Sequence, residues 1–183
     1  MITHSAVNVA LDVILPENLP QLHSWRNNGN IYNWCRQRDL IDIQDHEEWF
    51  LSLKNNKSIK MYLIKETNHS IPVGVCGLTS IDLYNQHAEF SLYIAPDSHG
   101  FGLGQQALKL LLHHGFNTYP LNIIYGETFE TNKAFKLFME MGFRHEGTRR
   151  DFYYKNGRYL GAHLVSIRRD EFDINKSKLL KAV

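Results

Sequence analysis

Tyr93-Ile94-Ala95-Pro96-Asp97-Ser98-His99-Gly100-Phe101-Gly102-Leu103-Gly104-Gln105-Gln106 is the stretch on which the reading of this chain turns. It passes from the end of an alternating apolar run, through a proline-started turn, into Gly100, Gly102 and Gly104, and then into a helical pattern. Glycines admit backbone conformations closed to other residues and put no Cβ between main chain and ligand. The unpaired amides and the dipole at the start of the following helix favour an anion, so the segment reads as a cradle for a phosphate or pyrophosphate. Alternating glycines also fit a plain flexible turn, and the flanking elements have to choose.

Upstream, His87 to Ile94 alternates Phe90, Leu92 and Ile94 with Glu89, Ser91 and Tyr93, the pattern of a strand with one apolar face. Lys60 to Glu66 and Val73 to Ile81 are apolar runs joined by the turn-forming Asn68 to Pro72, which predicts an antiparallel hairpin. Val9 to Leu15 predicts a short strand, and Pro16 opens a helix ending near Gly29. Asp42 or the residues just after it can cap a second helix, on which Trp49, Phe50 and Leu53 face inward. Downstream, Gln105 to Thr118 predicts a helix with Leu103, Ala107, Leu110 and Leu111 in one stripe. Leu121 to Phe129 follows as a buried strand, and Asn132 to Met141 as a short helix stopped by Gly142-Phe143. Asn156-Gly157, between two aromatic runs within His145 to Arg169, marks a tight hairpin.

This order tests the rival phosphate motifs. A P-loop ends in Gly-Lys-Ser or Gly-Lys-Thr, whereas Gly104 is followed by Gln105-Gln106. A dinucleotide fold places its glycines after the first strand of a parallel unit, with an acidic residue about 20 positions on. Here the glycines follow an antiparallel meander in mid-chain, which argues against a Rossmann dehydrogenase.

Composition narrows the class further. The 183 residues suit one domain, residues 1–172, followed by a polar tail, residues 173–183. Lys and Arg number 20 against 19 Asp and Glu, so no global field draws the chain to nucleic acid or an anionic membrane. No apolar run is long enough to span a bilayer, and Met1 to Ala10 lacks the pattern of a secretion signal. Cys35 and Cys76 form no CxxC pair, which suits reduced thiols and residence in the cytoplasm. The 10 histidines are scattered, and the adjacent His113 and His114 point roughly 100° apart on a helix, so no metal site is expected.

With the glycine segment and the Asn132 helix together, the chain resembles the GNAT superfamily of acyl-CoA N-acetyltransferases over roughly residues 8 to 170. The family signature is Gln or Arg, two residues, Gly, one residue, Gly or Ala; here it reads His99-Gly100-Phe101-Gly102-Leu103-Gly104, with His99 departing at the first position. The second family motif, an asparagine, an alanine, then Leu-Tyr and Gly-Phe, reads Asn132, Ala134, Leu137-Phe138 and Gly142-Phe143. Asn132 lies one residue nearer the alanine than is usual, which puts Thr131 at the usual position, and Phe138 replaces the tyrosine. The resemblance implies an α/β (α+β) fold: a mixed, mostly antiparallel sheet of about seven strands, helices on both faces, and a splay between strands four and five. It implies acetyl-CoA as acetyl donor, and no metal. The cofactor residues it implies are Leu92, Tyr93, Ile94, the run His99 to Gln105 with Phe101 and Leu103 included, Asn132 and Phe138.

The resemblance also implies a chemistry. An attacking amine must be neutral, and an alkylammonium is mostly protonated near neutral pH, so a base near the splay is called for. Glu89 matches the acidic residue of the fourth strand that serves several family members, with a salt-bridged strand carboxylate as the alternative; His87 and Tyr93 are weaker candidates. Phe138 cannot protonate the departing thiolate as the family tyrosine does, and Tyr93 or Ser91 is the replacement donor expected. The two variant positions, His99 and Phe138, also fit a non-catalytic acyl-CoA-binding module.

For the acceptor, Trp25-Arg26-Asn27, Trp34, Ile41, His46 and Trp49-Phe50 resemble the branch that acetylates nucleotide-linked amino sugars, and also enzymes of ribosomal protein N-termini. Glu146-Gly147-Thr148-Arg149-Arg150 is shared by both. The first helices and the last hairpin wall the acceptor site in the family, which singles out Arg26, Trp34, His46, Trp49 and Tyr159. Arg26 or Arg149 is placed to face a phosphate. Trp34 and Trp49 equally suit core positions, His46 a helix surface, and Arg149-Arg150 a solvated strand edge. The expected partner is a small-molecule or peptide amine, and the chain is expected as a monomer or homodimer.

Overall fold

The computed structural model describes residues 8–174. Strand β1 (Val9–Asp12) is followed by a single turn of three-ten helix at Pro16–Asn18 and by helix α1 (Leu19–Asn27). Asn28 then adopts an extended conformation and its side chain accepts from the Asn30 amide at 2.9 Å, so the helix expected to run to Gly29 breaks and restarts as α2 (Gly29–Tyr32). Helix α3 (Ile43–Leu53) begins as expected at Asp42, whose carboxylate accepts from the Gln44 amide at 2.8 Å. Its inward side differs from expectation: His46 is the buried residue, while Trp49, Phe50 and Leu53 are half-buried.

Strands β2 (Lys60–Glu66), β3 (Pro72–Asp82) and β4 (His87–Ile94) form the antiparallel meander, with a bulge in β3 between Thr79 and Asp82. Helix α4 (Leu103–Thr118) starts two residues ahead of the predicted Gln105, because Gly102 at φ 73° turns the chain into it. Then come β5 (Ile123–Phe129), α5 (Ala134–Glu140), β6 (Arg144–Lys155) and β7 (Arg158–Arg168), the last two joined by Asn156 and Gly157. Residues 169–174 are helical, and Arg169 fixes their start by donating to the carbonyls of Phe116, Tyr119 and Leu121. Most of the expected polar tail, from residue 175 onward, lies outside the described residues, as do residues 1–7.

The seven strands make one mixed sheet in the order β1-β2-β3-β4-β5-β7-β6. The main core lies between the sheet and α4 with α5, where Leu108, Leu111 and Leu112 meet Leu11, Ile64, Leu78 and Ile124. A smaller core on the opposite face gathers Leu22 and Trp25 of α1 with Leu63 and Val75. Helices thus cover both faces, as expected. No helix among the described residues is long and apolar enough to cross a membrane.

The sheet opens at the one parallel pair among the described residues. Strands β4 and β5 are in register at His87, Ala88 and Glu89 opposite Ile123, Ile124 and Tyr125, and the ladder ends there. Phe90, the next residue, lays its ring over Gly126: a Cβ built on Gly126 would fall 2.6 Å from the ring's Cζ and 2.8 Å from Cδ1. The ring is clamped edge-on by Phe138 at 5.1 Å and Phe143 at 5.3 Å, so it cannot swing aside. This buried wedge stands where the strands diverge.

Candidate active site

The opening between the strands leads into a cleft of about 650 Å³. One wall is the end of β4, from Leu92 to Ile94; the floor is the turn from Ser98 through Gln105; and Asn132 to Leu137 close the far side. Gly100 and Gly102 adopt φ of 88° and 73°, a region that strains residues bearing a Cβ, and a Cβ at either would project into open space. Among the described residues no side chain caps α4, and the first amide of that turn to find a helical carbonyl is that of Gln106, on Gly102 at 3.3 Å. The amides of Leu103, Gly104 and Gln105 are therefore unpaired donors at a helix start, which suits a diphosphate. His99 turns back and bonds the Ile94 carbonyl at 2.8 Å, tying the turn to the strand end. Asn132, just ahead of α5, accepts from the amide of its first residue, Ala134, at 2.9 Å and also lines the cleft.

Two predicted cofactor residues lie elsewhere. Phe101 points to solvent at 72% exposure, and Phe138 is buried in the ring cluster with Phe90 and Phe143. A side chain alternating with two inward-turned glycines has to point away from the cleft, and an apolar ring at position 138 gains more from the core than from a wet surface.

On the opposite face of β4, a chamber of about 280 Å³ is enclosed by α1, α3 and strands β2 to β4. Arg26, His46 and Trp49, expected at the acceptor, meet there with Asp45, Ser91 and Tyr93. His46 stacks on Trp49 at 5.1 Å, and its buried Nδ1 has no partner. Burial, helped by the charges of His23 and Arg26, holds His46 below the usual imidazole value, so it is neutral near pH 7. Tyr93 lines both the chamber and the cleft, with the Arg26 guanidinium 5.5 Å from its ring centre. Burial drives the Tyr93 phenol well above the usual tyrosine value, against the pull of Arg26, so the proton stays on its oxygen. Trp34, 46% exposed, stands at the cleft mouth rather than in the chamber. Tyr159 is outside both, 65% exposed and packed on Tyr154 across the last hairpin, because it falls on the outer face of β7.

Glu89 opens instead on a third cavity, about 500 Å³, beside the parallel pair. Its Oε1 accepts Arg36 at 2.6 Å, and the same guanidinium reaches Glu127 at 3.4 Å. Glu127 also accepts Arg149 at 3.3 Å and the Tyr153 hydroxyl at 2.9 Å. Burial opposes the Arg36 charge, but Glu89, Tyr153 and Glu127 outweigh it and hold the guanidinium protonated. Glu146, hydrogen-bonded by Ser166, lines the same cavity. Arg36, Glu127 and Tyr153 escape a reading of the sequence alone. Alternation with Tyr125 could have put Glu127 on the Glu89 face; Arg36 gives no such signal, since its turn has no periodicity. Arg149, an expected phosphate ligand, is committed to Glu127.

A glycine-floored cleft at a helix start, reached through the splay of a mixed sheet, defines an acyltransferase of the coenzyme A-using class. Comparison with known proteins gives the family: the GNAT acetyltransferase domain model matches residues 9–144. The chain belongs to that family and is an acetyl-CoA-dependent N-acyltransferase. It is 25% identical over 158 residues to spermidine N(1)-acetyltransferase of Vibrio cholerae, covering 86% of this chain and 90% of that protein. To the Escherichia coli K12 protein of the same name it is 26% identical over 161 residues, covering 86% and 84%. A crystal structure of the V. cholerae spermidine N-acetyltransferase with CoA and spermine superposes with a TM-score of 0.85 at 23% identity, over 90% of this chain and 98% of that one. The relatives thus bear out the superfamily and not the amino-sugar or ribosomal-protein branches expected from the N-terminal half.

Proposed function

We propose that the chain acetylates a primary amine of a polyamine. The observation that carries this reading is the charge at the splay: Glu89, Glu127 and Glu146 line one cavity against Arg36 and Arg149, leaving carboxylate in excess beside the reacting centre. A flexible polycation is the complementary guest. The chamber adds Asp45 and the Trp49 ring, which suit an ammonium and a methylene chain. The spermidine N(1)-acetyltransferases to which most of the chain is similar support the same class.

Acetyl-CoA supplies an acetyl group on a thiol leaving group. In this reading the amides from Gly100 to Gln105 and the backbone of Leu92 to Ile94 hold that donor, with His99 and Asn132 shaping the cleft. Arg36 occupies Oε1 of Glu89, and Oε2 takes the proton the amine loses, directly or through water. As the new C–N bond forms and the C–S bond breaks, coenzyme A leaves as its thiolate, and the protonated Tyr93 hydroxyl donates a hydrogen bond to the sulfur, which Phe138 cannot do. Asp45 and the Trp49 ring hold the rest of the acceptor beside neutral His46, Arg26 stays against the Tyr93 ring, and Trp34 screens the mouth.

Cytoplasmic residence goes with free Cys35 and Cys76 and with an acetyl-CoA substrate. The expected monomer or homodimer stands against a similar structure, at 22% identity, described as dodecameric, and sedimentation of the purified protein separates the alternatives. For the acceptor, the test is thiol release from acetyl-CoA with spermidine, spermine and putrescine beside amino sugars and peptides. Turnover of the polyamines is expected; turnover of sugars or peptides alone would overturn the reading.

A further inference from the structure

Lys155, the last residue of β6, is buried, yet among the described residues no carboxylate pairs with it. Its ammonium donates instead to three backbone carbonyls of one turn far away in sequence: Tyr32 at 2.7 Å, Cys35 at 2.8 Å and Gln37 at 2.9 Å. An ammonium has three protons and no acceptor, so these bonds use all it can give. Its Nζ also lies 3.9 Å from the centre of the Tyr32 ring. A buried ammonium without such partners is strongly disfavoured, and a carbonyl oxygen has two lone pairs to offer, so that of Tyr32 accepts the Cys35 amide at 3.2 Å as well as the ammonium. Next to it, the Asn156 amide donates to Asn33 at 3.1 Å.

The turn gripped in this way carries the side chains that meet the site. Trp34 and Cys35 line the cleft, and Arg36, between two of the gripped carbonyls, reaches Glu89 and Glu127. The Trp34 and Cys35 amides close the start of the turn on the carbonyls of Ile31 and Tyr32 at 3.0 and 3.2 Å; beyond Cys35 the Tyr32 hydroxyl donates to the Arg38 carbonyl at 2.6 Å, and Gln37 makes longer bonds to the carbonyls of Arg26 and Asp39. We propose that Lys155 is a positioning residue for acetyl transfer: by collecting the carbonyls of Tyr32, Cys35 and Gln37 it sets Arg36 between Glu89 and Glu127 and so fixes the carboxylate that faces the acceptor amine. This rests on the placement of the acceptor beside Glu89. Burial lowers the proton affinity of the ammonium, and Arg26 adds to that while Cys35 opposes it, but the three carbonyls leave a lysine the better fit than an arginine, whose planar fork cannot converge on one point.

The experiment compares Lys155→Met, Lys155→Arg, Arg36→Gln and the Lys155→Met/Arg36→Gln pair. In Lys155→Met we expect kcat/KM for the acceptor to fall by roughly tenfold to a hundredfold, as displacement by about an ångström does, with CoA affinity within about twofold of wild type. The same substitution should cost nothing further in the Arg36→Gln background, because the two act through one contact. Additive losses would overturn the proposal, as would full activity in Lys155→Arg, which would reduce Lys155 to a buried charge. If Lys155→Met does not fold, Lys155→Arg carries the test alone. A second readout needs no acceptor: the side-chain 15N signal of Arg36, assigned by its loss in Arg36→Gln, should move in either Lys155 variant. A moved signal in a protein that acetylates no polyamine sinks the acceptor reading and leaves the positioning intact; normal turnover with an unmoved signal does the reverse.

Discussion

Replacing Gly126 by alanine tests whether the Phe90 wedge holds the two parallel strands apart. The added Cβ would stand 2.6 Å from Cζ of the Phe90 ring, where carbon atoms prefer about 3.5 to 4.0 Å, so ring or strand has to move by about 1 Å. Phe138 and Phe143 block the ring, which puts the strain on the backbone of β5. Overpacking of this kind costs about 1–3 kcal/mol. For a chain of this size each kcal/mol lowers Tm by about 2–4 °C, so calorimetry should register a fall of about 2–12 °C. Phe90→Ala on its own empties a core site and costs about 3–5 kcal/mol. The decisive comparison is the pair: with the ring gone, Gly126→Ala should add almost nothing to the loss, a coupling that a double-mutant cycle measures directly. Transfer of acetyl groups should also fall in Gly126→Ala, on the order of tenfold or more, because the cleft opens at this point. A Gly126→Ala protein as stable and as active as wild type would refute the wedge.

Gly102→Val puts a branched side chain on a backbone at φ 73°, and its Cβ enters the cleft; calorimetric titration should show CoA binding weakened by more than about tenfold, with left-handed strain of about 1–3 kcal/mol appearing as a lower Tm. Glu89→Gln should depress kcat and change the alkaline-ward rise of the pH-rate profile while CoA affinity holds; an unchanged profile removes Glu89 from proton transfer. Tyr93→Phe should lower kcat with an unaltered fold, read by turnover and circular dichroism together. His46, His114 and His163 are all held below the usual histidine value, burial first among the causes. The unfolded chain then binds more protons than the native one as pH falls through about 6.5, so thermal stability should drop between about pH 7 and pH 5, and a Tm flat across that window would contradict it.

The order of strands, the mid-chain glycine turn and the helix after β5 were legible in the sequence because each depends on local chemistry: period-two alternation, glycine where φ is positive, asparagine and aspartate where a helix must be capped. Most of the glycine-floored cleft was legible for the same reason, since it is built largely from nearly consecutive residues, Ser98 to Gln105, that lead into the helix. Phe101 and Phe138 were assigned to it by position in a motif, and the packing of side chains sent one to solvent and the other to the core. The rest belongs to the tertiary structure alone. Arg36 and Lys155 sit in stretches with no repeat to mark them, and neither reveals its partners until the last hairpin folds against the turn after α2. The splay was expected between the fourth and fifth strands from the resemblance, but its cause, a ring on β4 meeting a glycine on β5, exists only when the strands stand side by side. Local sequence specifies which elements form and where amides go unpaired; long-range packing decides which charges face each other, because electrostatic and steric contacts act across space and not along the chain.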